Sequence, residues 1–270
     1  MIVRFSNDFV FWKILTQNDD LCKELLELIL DKRIRKIEKV ESQKTLKQTT
    51  DGKSIRLDVY VEDDENTIYD IEMQTTSNNN LPKRTRYYQG IMDLNLIEQG
   101  EEYTKLKTSY IIFICLKDPF GRGLPIYTFK NKCMEQPDLE LGDNTTKIFL
   151  NASGCRAGLS DKMAAFLDFL EKDVAKDDFT KRLEYKVRTI ENSDKWRDDV
   201  MKYEADLMDA RQQGLEQGLE QGLSNGILGT VTILLSMNMK TNEICSAIIR
   251  QYNISKEEAE EFVNKAKKNK

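Results

Sequence analysis

Histidine is absent from all 270 residues. That removes Ser-His-Asp and Cys-His catalysis, imidazole zinc sites and HNH-type nuclease centres, so any chemistry must rest on carboxylates, Lys, Tyr, Ser or Cys. Cysteine is sparse as well, five residues at positions 22, 115, 133, 155 and 245 with no C-x-x-C spacing. The odd count and spacing suggest neither a disulfide framework nor a zinc ribbon, and fit a reducing, cytoplasmic setting. Only 4 Pro and 13 Gly argue against collagen-like or low-complexity chains. No apolar run approaches the ~18–20 residues of a membrane span, so no membrane partner is expected. A global basic field is missing too: 41 Lys and Arg face 46 Asp and Glu, a net charge of −5. A polyanion would have to be met by local basic patches, at 32–47 and 83–86.

What is present is a charge-rich globular composition, 40% hydrophobic and 32% charged. The chain is long enough for one full core and an appendage. Apolar residues at spacings of three and four from Asn7 to Leu30 predict two helices split near Asn18. The runs 55–61 (IRLDVYV) and 67–74 (TIYDIEMQ) alternate with period two around an acidic turn, and predict a β-hairpin. Helical spacing resumes over 81–99, and 109–116 (SYIIFICL) reads as a strand buried on both faces. Two further strands are expected at 126–129 and 147–150. The fold class is therefore α/β, a mixed sheet flanked by helices, with a C-terminal helical module. The expected organisation is a sheet domain over 1–155, a helical extension over 156–211, a Gly-Leu-Glu-Gln repeat connector over 212–226 and a small helical module over 227–270. The repeat, with Gly214, Gly218 and Gly222, reads as a semi-flexible helical connector or a small-residue dimer seam, because it lacks the strand-before-helix context of a phosphate loop. A homo-oligomer, most simply a dimer, is expected.

The chemistry concentrates on the hairpin. Asp58 points away from Leu57 and Val59, while Asp70, Glu72 and Gln74 share one face of the second strand. Antiparallel pairing brings Asp58 close to Glu72 or Asp70. Crowded carboxylates repel and raise one another's pKa, a cost that a divalent cation removes. Oxygen-only ligands point to Mg²⁺ or Mn²⁺. The same alternation also describes a plain solvated sheet face. Asp8, at the head of the first helix, reads as its N-terminal cap, with membership of the site as the alternative.

A carboxylate, thirteen intervening residues, then Glu-x-polar on the next strand and a helix resembles the arrangement of PD-(D/E)XK nucleases. More specifically, the opening NDFVFWKIL, the strand pair RLDVYVED and IYDIEMQ, the segment LPKRTRYYQGIMD and the strand SYIIFICLKDPF are similar to the Rpn family of recombination-promoting nucleases, also described as PD-(D/E)XK nuclease family transposases. The resemblance covers roughly residues 5–130. It implies a restriction-endonuclease-like domain and a Mg²⁺-dependent (or Mn²⁺-dependent) DNA endonuclease, a hydrolase of phosphodiester bonds linked to recombination, mobile elements or phage defence. Asp58 and Glu72 would be the metal ligands. Gln74 would take the place of the motif lysine, in the Glu-x-Gln form that Rpn-like proteins carry. Lys83, Arg84, Arg86 and Tyr88, at the start of the following helix, are the candidate DNA-binding residues. The alternative is a catalytically inactive nuclease-fold protein with a regulatory or interaction role, oligomerising through its C-terminal helices.

Overall fold

The computed structural model describes residues 3–46, 55–77 and 80–268. Lys47 of the first basic patch lies outside the described residues. The chain divides into two compact units, Met1–Arg197 and Asp198–Lys270.

The first unit is built on six strands: β1 (Ile37–Leu46), β2 (Ile55–Asp63), β3 (Ile68–Gln74), β4 (Ser109–Cys115), β5 (Ile126–Phe129) and β6 (Thr145–Asn151). Their spatial order is β1-β2-β3-β4-β6-β5. Pairing is antiparallel for β1/β2, β2/β3 and β5/β6, and parallel for β3/β4 and β4/β6, so the sheet is mixed as expected. The run SYIIFIC of β4 is central, with Ile111 to Cys115 all buried. Apolar residues on both faces are what a strand covered on both sides requires.

Helices α1 (Asp8–Gln17), α2 (Asp19–Leu30), α4 (Asp161–Lys172) and α5 (Asp178–Glu191) pack on one another, with α1 also against β1 and β2. Helix α3 (Leu81–Leu96) seals a separate apolar cluster, in which Leu81, Tyr88, Ile91 and Met92 meet Leu57, Ile68, Ile111 and Phe113. Consequently all seven residues of β3 are buried. The polar alternation of Asp70, Glu72 and Gln74 is therefore not a solvated sheet face. It is a polar stripe inside the domain, where each group must find a partner or lose its charge.

Asp63 fixes the hairpin turn. Its Oδ1 accepts the N–H groups of Glu65 (2.9 Å) and Thr67 (2.8 Å), and its Oδ2 accepts the Tyr69 hydroxyl at 2.7 Å. Hydrogen bonds to a charged, buried acceptor are the stronger kind. Asp63→Ala is accordingly expected to lower stability by about 2–3 kcal/mol in urea denaturation. A loss below about 0.5 kcal/mol would show that the turn holds without it.

In the second unit the C-terminal part of helix α6 (Asp194–Ser236) packs with α7 (Thr241–Tyr252) and α8 (Lys256–Lys268). Ile227, Val231, Ile244, Ile248, Ala259 and Val263 form its core. Ser255 starts α8: its hydroxyl accepts the Glu258 N–H at 3.1 Å, and Glu258 accepts the Ser255 N–H at 2.8 Å, a reciprocal cap. The Gly-Leu-Glu-Gln repeat lies on α6 with Leu215, Leu219 and Leu223 exposed. Among the described residues no helix is long and apolar enough to cross a membrane.

Candidate active site

The β2/β3 ladder runs from Glu62↔Ile68 to Val59↔Ile71 and stops there. The next position along β2 is Asp58, which is also missing from the β1/β2 register between Val59↔Ser42 and Leu57↔Lys44. Opposite it on β1, Gln43 adopts a positive φ of 51°. Side chains replace the missing backbone pairs: Glu72 Oε1 accepts the Asp58 N–H at 3.0 Å, and Asp58 Oδ2 accepts the Met73 N–H at 3.2 Å. The strands thus part at this point, and the two carboxylates fill the gap.

Helix α3 completes the site. Arg84 reaches back with all three guanidinium nitrogens: Nη2 to Glu72 Oε2 at 2.5 Å, Nη1 to Gln74 Oε1 at 3.2 Å, and Nε to the Tyr88 hydroxyl at 2.8 Å. Gln74 in turn donates through Nε2 to the Thr76 carbonyl (2.8 Å) and hydroxyl (3.2 Å). Burial works against the Arg84 charge, yet Glu72 and Tyr88 hold its pKa above the ordinary value.

The acids are crowded. Burial, followed by the charge of Asp8, pushes Asp58 up to about 6, against the Met73 N–H, Arg84 and Arg56. Burial and then the charge of Asp58 push Glu72 up to about 8, against Arg84 and the Asp58 N–H. Asp70, fully enclosed, is held well above its usual range by burial and then by Glu72 and Asp58. The protons belong to the cluster rather than to single residues.

Asp8 departs from its expected role. Asn7 is the cap, its side chain accepting the N–H groups of Phe9 (3.1 Å) and Val10 (3.3 Å). Asp8 instead has a buried, unpartnered Oδ1, and its carboxyl, raised by burial, feels Arg84 and Asp58. The segment NDF carried both residues, but only packing shows which one turns toward the hairpin.

The candidate DNA-binding residues are sorted by the helix. Lys83, Arg84 and Tyr88 line one cavity of about 370 Å³, together with Arg56, Asn80 and Tyr87. Arg86 is not among them. It lines a different cavity, because two residues along a helix turn a side chain by about 200°. Arg56, on β2 two residues before Asp58, also lines this cavity, although it was not among the candidate DNA-binding residues. Its place next to an acid on the same strand was the available signal.

The donor set suits a hard divalent cation. Asp58 and Glu72 offer oxygen only, Asp8 and Asp70 press on them with like charge, and a cation would relieve the repulsion that raises these acids. Among the described residues no three acidic or cysteine side chains converge as ligands. Two carboxylates with water and substrate phosphates completing the shell is the usual way of holding Mg²⁺.

No curated protein and no solved structure matches the chain. Residues 5–151 match the family described as PD-(D/E)XK nuclease family transposase, a span that contains the whole six-stranded sheet, α1 to α3 and every residue of the hairpin site. More than half of the sequence is covered, and the chain belongs to the PD-(D/E)XK nuclease family transposases.

Proposed function

We propose that the protein is a metal-dependent deoxyribonuclease that hydrolyses DNA phosphodiester bonds, in the setting of recombination, mobile elements or phage defence. The observation that carries this reading is the convergence of Asp58, Glu72, Gln74 and Arg84 at the parted ends of β2 and β3. It is supported by the basic cavity beside them and by the family. Asp58 and Glu72 would hold Mg²⁺ or Mn²⁺. The bound ion would place positive charge at the scissile phosphate and lower the pKa of the attacking water. Glu72 and Asp58 are fixed for this by each other's strand. Lys83 and Arg56 at the cavity mouth attract the phosphate backbone, and Tyr88 holds the Arg84 guanidinium in orientation. Gln74 can orient water by hydrogen bonds but brings no charge. Arg84, 3.2 Å from the Gln74 oxygen, brings the positive charge that a motif lysine would otherwise supply from β3.

Incubation of supercoiled DNA with the full chain tests this reading. Nicking or linearisation with Mg²⁺ or Mn²⁺ and none in EDTA is expected, with binding that weakens steeply as salt rises. Silence across metals, salts and DNA forms would favour the regulatory, non-catalytic alternative. The Gln74/Arg84 contact adds a sharper test. Gln74→Lys would set an ammonium against the guanidinium, and should slow cleavage by about 10²-fold. Combining it with Arg84→Gln returns the site to one cation and should recover much of the loss. No recovery in the double variant would remove Arg84 from this role.

We also propose that the chain self-associates through α6, whose exposed Leu215, Leu219 and Leu223 recur every fourth residue along one helical face. Light scattering should give a dimer mass for the native chain and a monomer mass for Leu219→Lys. An unchanged mass would exclude this face.

A further inference from the structure

Arg86 leads to a cavity that the proposed chemistry does not use. It measures about 560 Å³, and its walls include Arg86 and Gln89 from α3, Phe129 from β5, Lys147 and Phe149 from β6, and Phe120 from the turn after β4. The three phenyl rings form one cluster, with centroids 5.2 Å apart for Phe120 and Phe129, 5.0 Å for Phe120 and Phe149, and 5.8 Å for Phe129 and Phe149. Phe149 is 2% exposed and anchors the cluster, whereas Phe129, on the edge strand, is 46% exposed. A single exposed ring needs no explanation. A ring over a cavity with two cations and no acid in its lining is a different matter.

The polar lining is ordered. Gln89 is held by Ser109 and Asp93, each at 2.9 Å from its Nε2. Lys147 donates to Thr145 Oγ1 at 3.0 Å, and its charge reaches Asp93 and Asp143 outside the lining. Arg86 makes no ion pair among the described residues. Aromatic faces beside cations are the chemistry that binds unpaired nucleotides, by stacking on the base and attraction of its phosphates. The volume lies in the range of small-molecule sites and exceeds what one base needs, leaving room for sugar and phosphate.

We propose that this cavity receives an unpaired base of the DNA strand whose backbone occupies the hairpin site, with Arg86 and Lys147 meeting the phosphates on either side. The inference rests on the nuclease reading for the identity of the strand. Arg84 and Tyr88 serve the hairpin site from one flank of α3, and Arg86 and Gln89 serve this cavity from the other. A helix is about 10–12 Å across, a distance that a few nucleotides of an extended strand can span. A base inside a duplex has both faces covered by its neighbours, so only an unpaired or displaced base can enter.

Fluorescence anisotropy on the full chain in EDTA separates this from catalysis, using a labelled single-stranded oligonucleotide and the blunt duplex of the same sequence. Phe129→Ala is expected to weaken single-strand binding by about 5- to 100-fold while changing duplex binding by less than about 2-fold. Arg86→Ala with Lys147→Ala, two solvent-reachable positions that test the cavity even if Phe129→Ala unfolds, should weaken single-strand binding and flatten its salt dependence. Equal losses for both DNA forms, or none, would overturn the base pocket, and metal-dependent cleavage by the native chain would then leave the nuclease reading standing. Phe129-dependent binding of single strands by a chain that never cleaves would keep the pocket and remove the nuclease. Binding of deoxyadenosine monophosphate as tight as that of the strand would overturn the strand as occupant in favour of a free nucleotide.

Discussion

Asp58→Asn and Glu72→Gln are each expected to lower metal-dependent DNA cleavage by at least about 10³-fold, since each removes one of the two proposed metal ligands. The two should differ in stability. Among the described residues Asp58 has no ion-pair partner and accepts only the Met73 N–H, and its carboxyl is held up to about 6 by burial and by Asp8. Asn at this position keeps an acceptor and removes repulsion, so stability should be unchanged or higher. Glu72 is 1% exposed on its side chain and is the carboxylate in contact with Arg84. Glu72→Ala leaves the guanidinium without its anion and the Asp58 N–H without its acceptor. Because the Arg84 side chain is 30% exposed and can turn toward water, the cost should be roughly 1–3 kcal/mol rather than that of a fully buried pair. Nicking assays with urea titrations of the same preparations test both statements. Retained cleavage in Asp58→Asn would remove the proposed ligand pair, and equal stability losses in both variants would mark the carboxylates as structural.

The metal-free protein should lose on the order of 5 kcal/mol of stability between pH 5 and pH 8. In the unfolded chain Asp58 and Glu72 ionise near 3.8 and 4.5, whereas in the folded chain they hold protons to about 6 and about 8. Between those values the native state binds more protons than the unfolded state, so stability falls as pH rises and is greatest on the acid side of this window. Asp70 and Asp8 press in the same direction, while Arg84 and Arg56 oppose it. A separate group limits the gain at still lower pH: Asp168, held well below the carboxylate range by Lys176, Lys172 and Arg156, loses those contacts on protonation. Mg²⁺ or Mn²⁺ at pH 8 should restore most of the loss, because a cation that binds only the folded, ionised cluster stabilises it by mass action. Thermal melts across pH, with and without metal, read this directly. A flat profile in EDTA would mean that the carboxyls are not crowded, and a metal effect persisting in Asp58→Asn with Glu72→Gln would place the ion elsewhere.

Arg84 also belongs to this cluster. It was grouped by sequence with Lys83 and Arg86 as one basic patch, but its guanidinium is bound within the site by Glu72, Gln74 and Tyr88. Lys83 shares its cavity, and Arg86 lies on the other flank of the helix. A run of basic residues in sequence is thus three separate electrostatic roles in space.

The helices, the hairpin, the buried β4 run and the pairing of an acid on β2 with Glu-x-Gln on β3 were legible from the chain itself. Each rests on short-range periodicity, turn chemistry and residue order, and these act over a few residues whatever the rest of the molecule does. The family was legible for the same reason, from ordered local segments. Only tertiary packing decided that β3 is buried along its whole length, so that an alternation compatible with a wet sheet face became a set of enclosed acids. It also decided that β2 and β3 part at Asp58, that Asn7 rather than Asp8 caps α1, and that Arg84 and Arg86 face different cavities. The enclosure of the acids depends on elements that meet across the fold, as Asp8 of α1 meets Asp58 of β2, and the separation of Arg84 from Arg86 depends on the rotation of α3 about its axis. Burial on both sides, and not any local signal, is what raises the carboxyl pKa values on which the proposed chemistry depends.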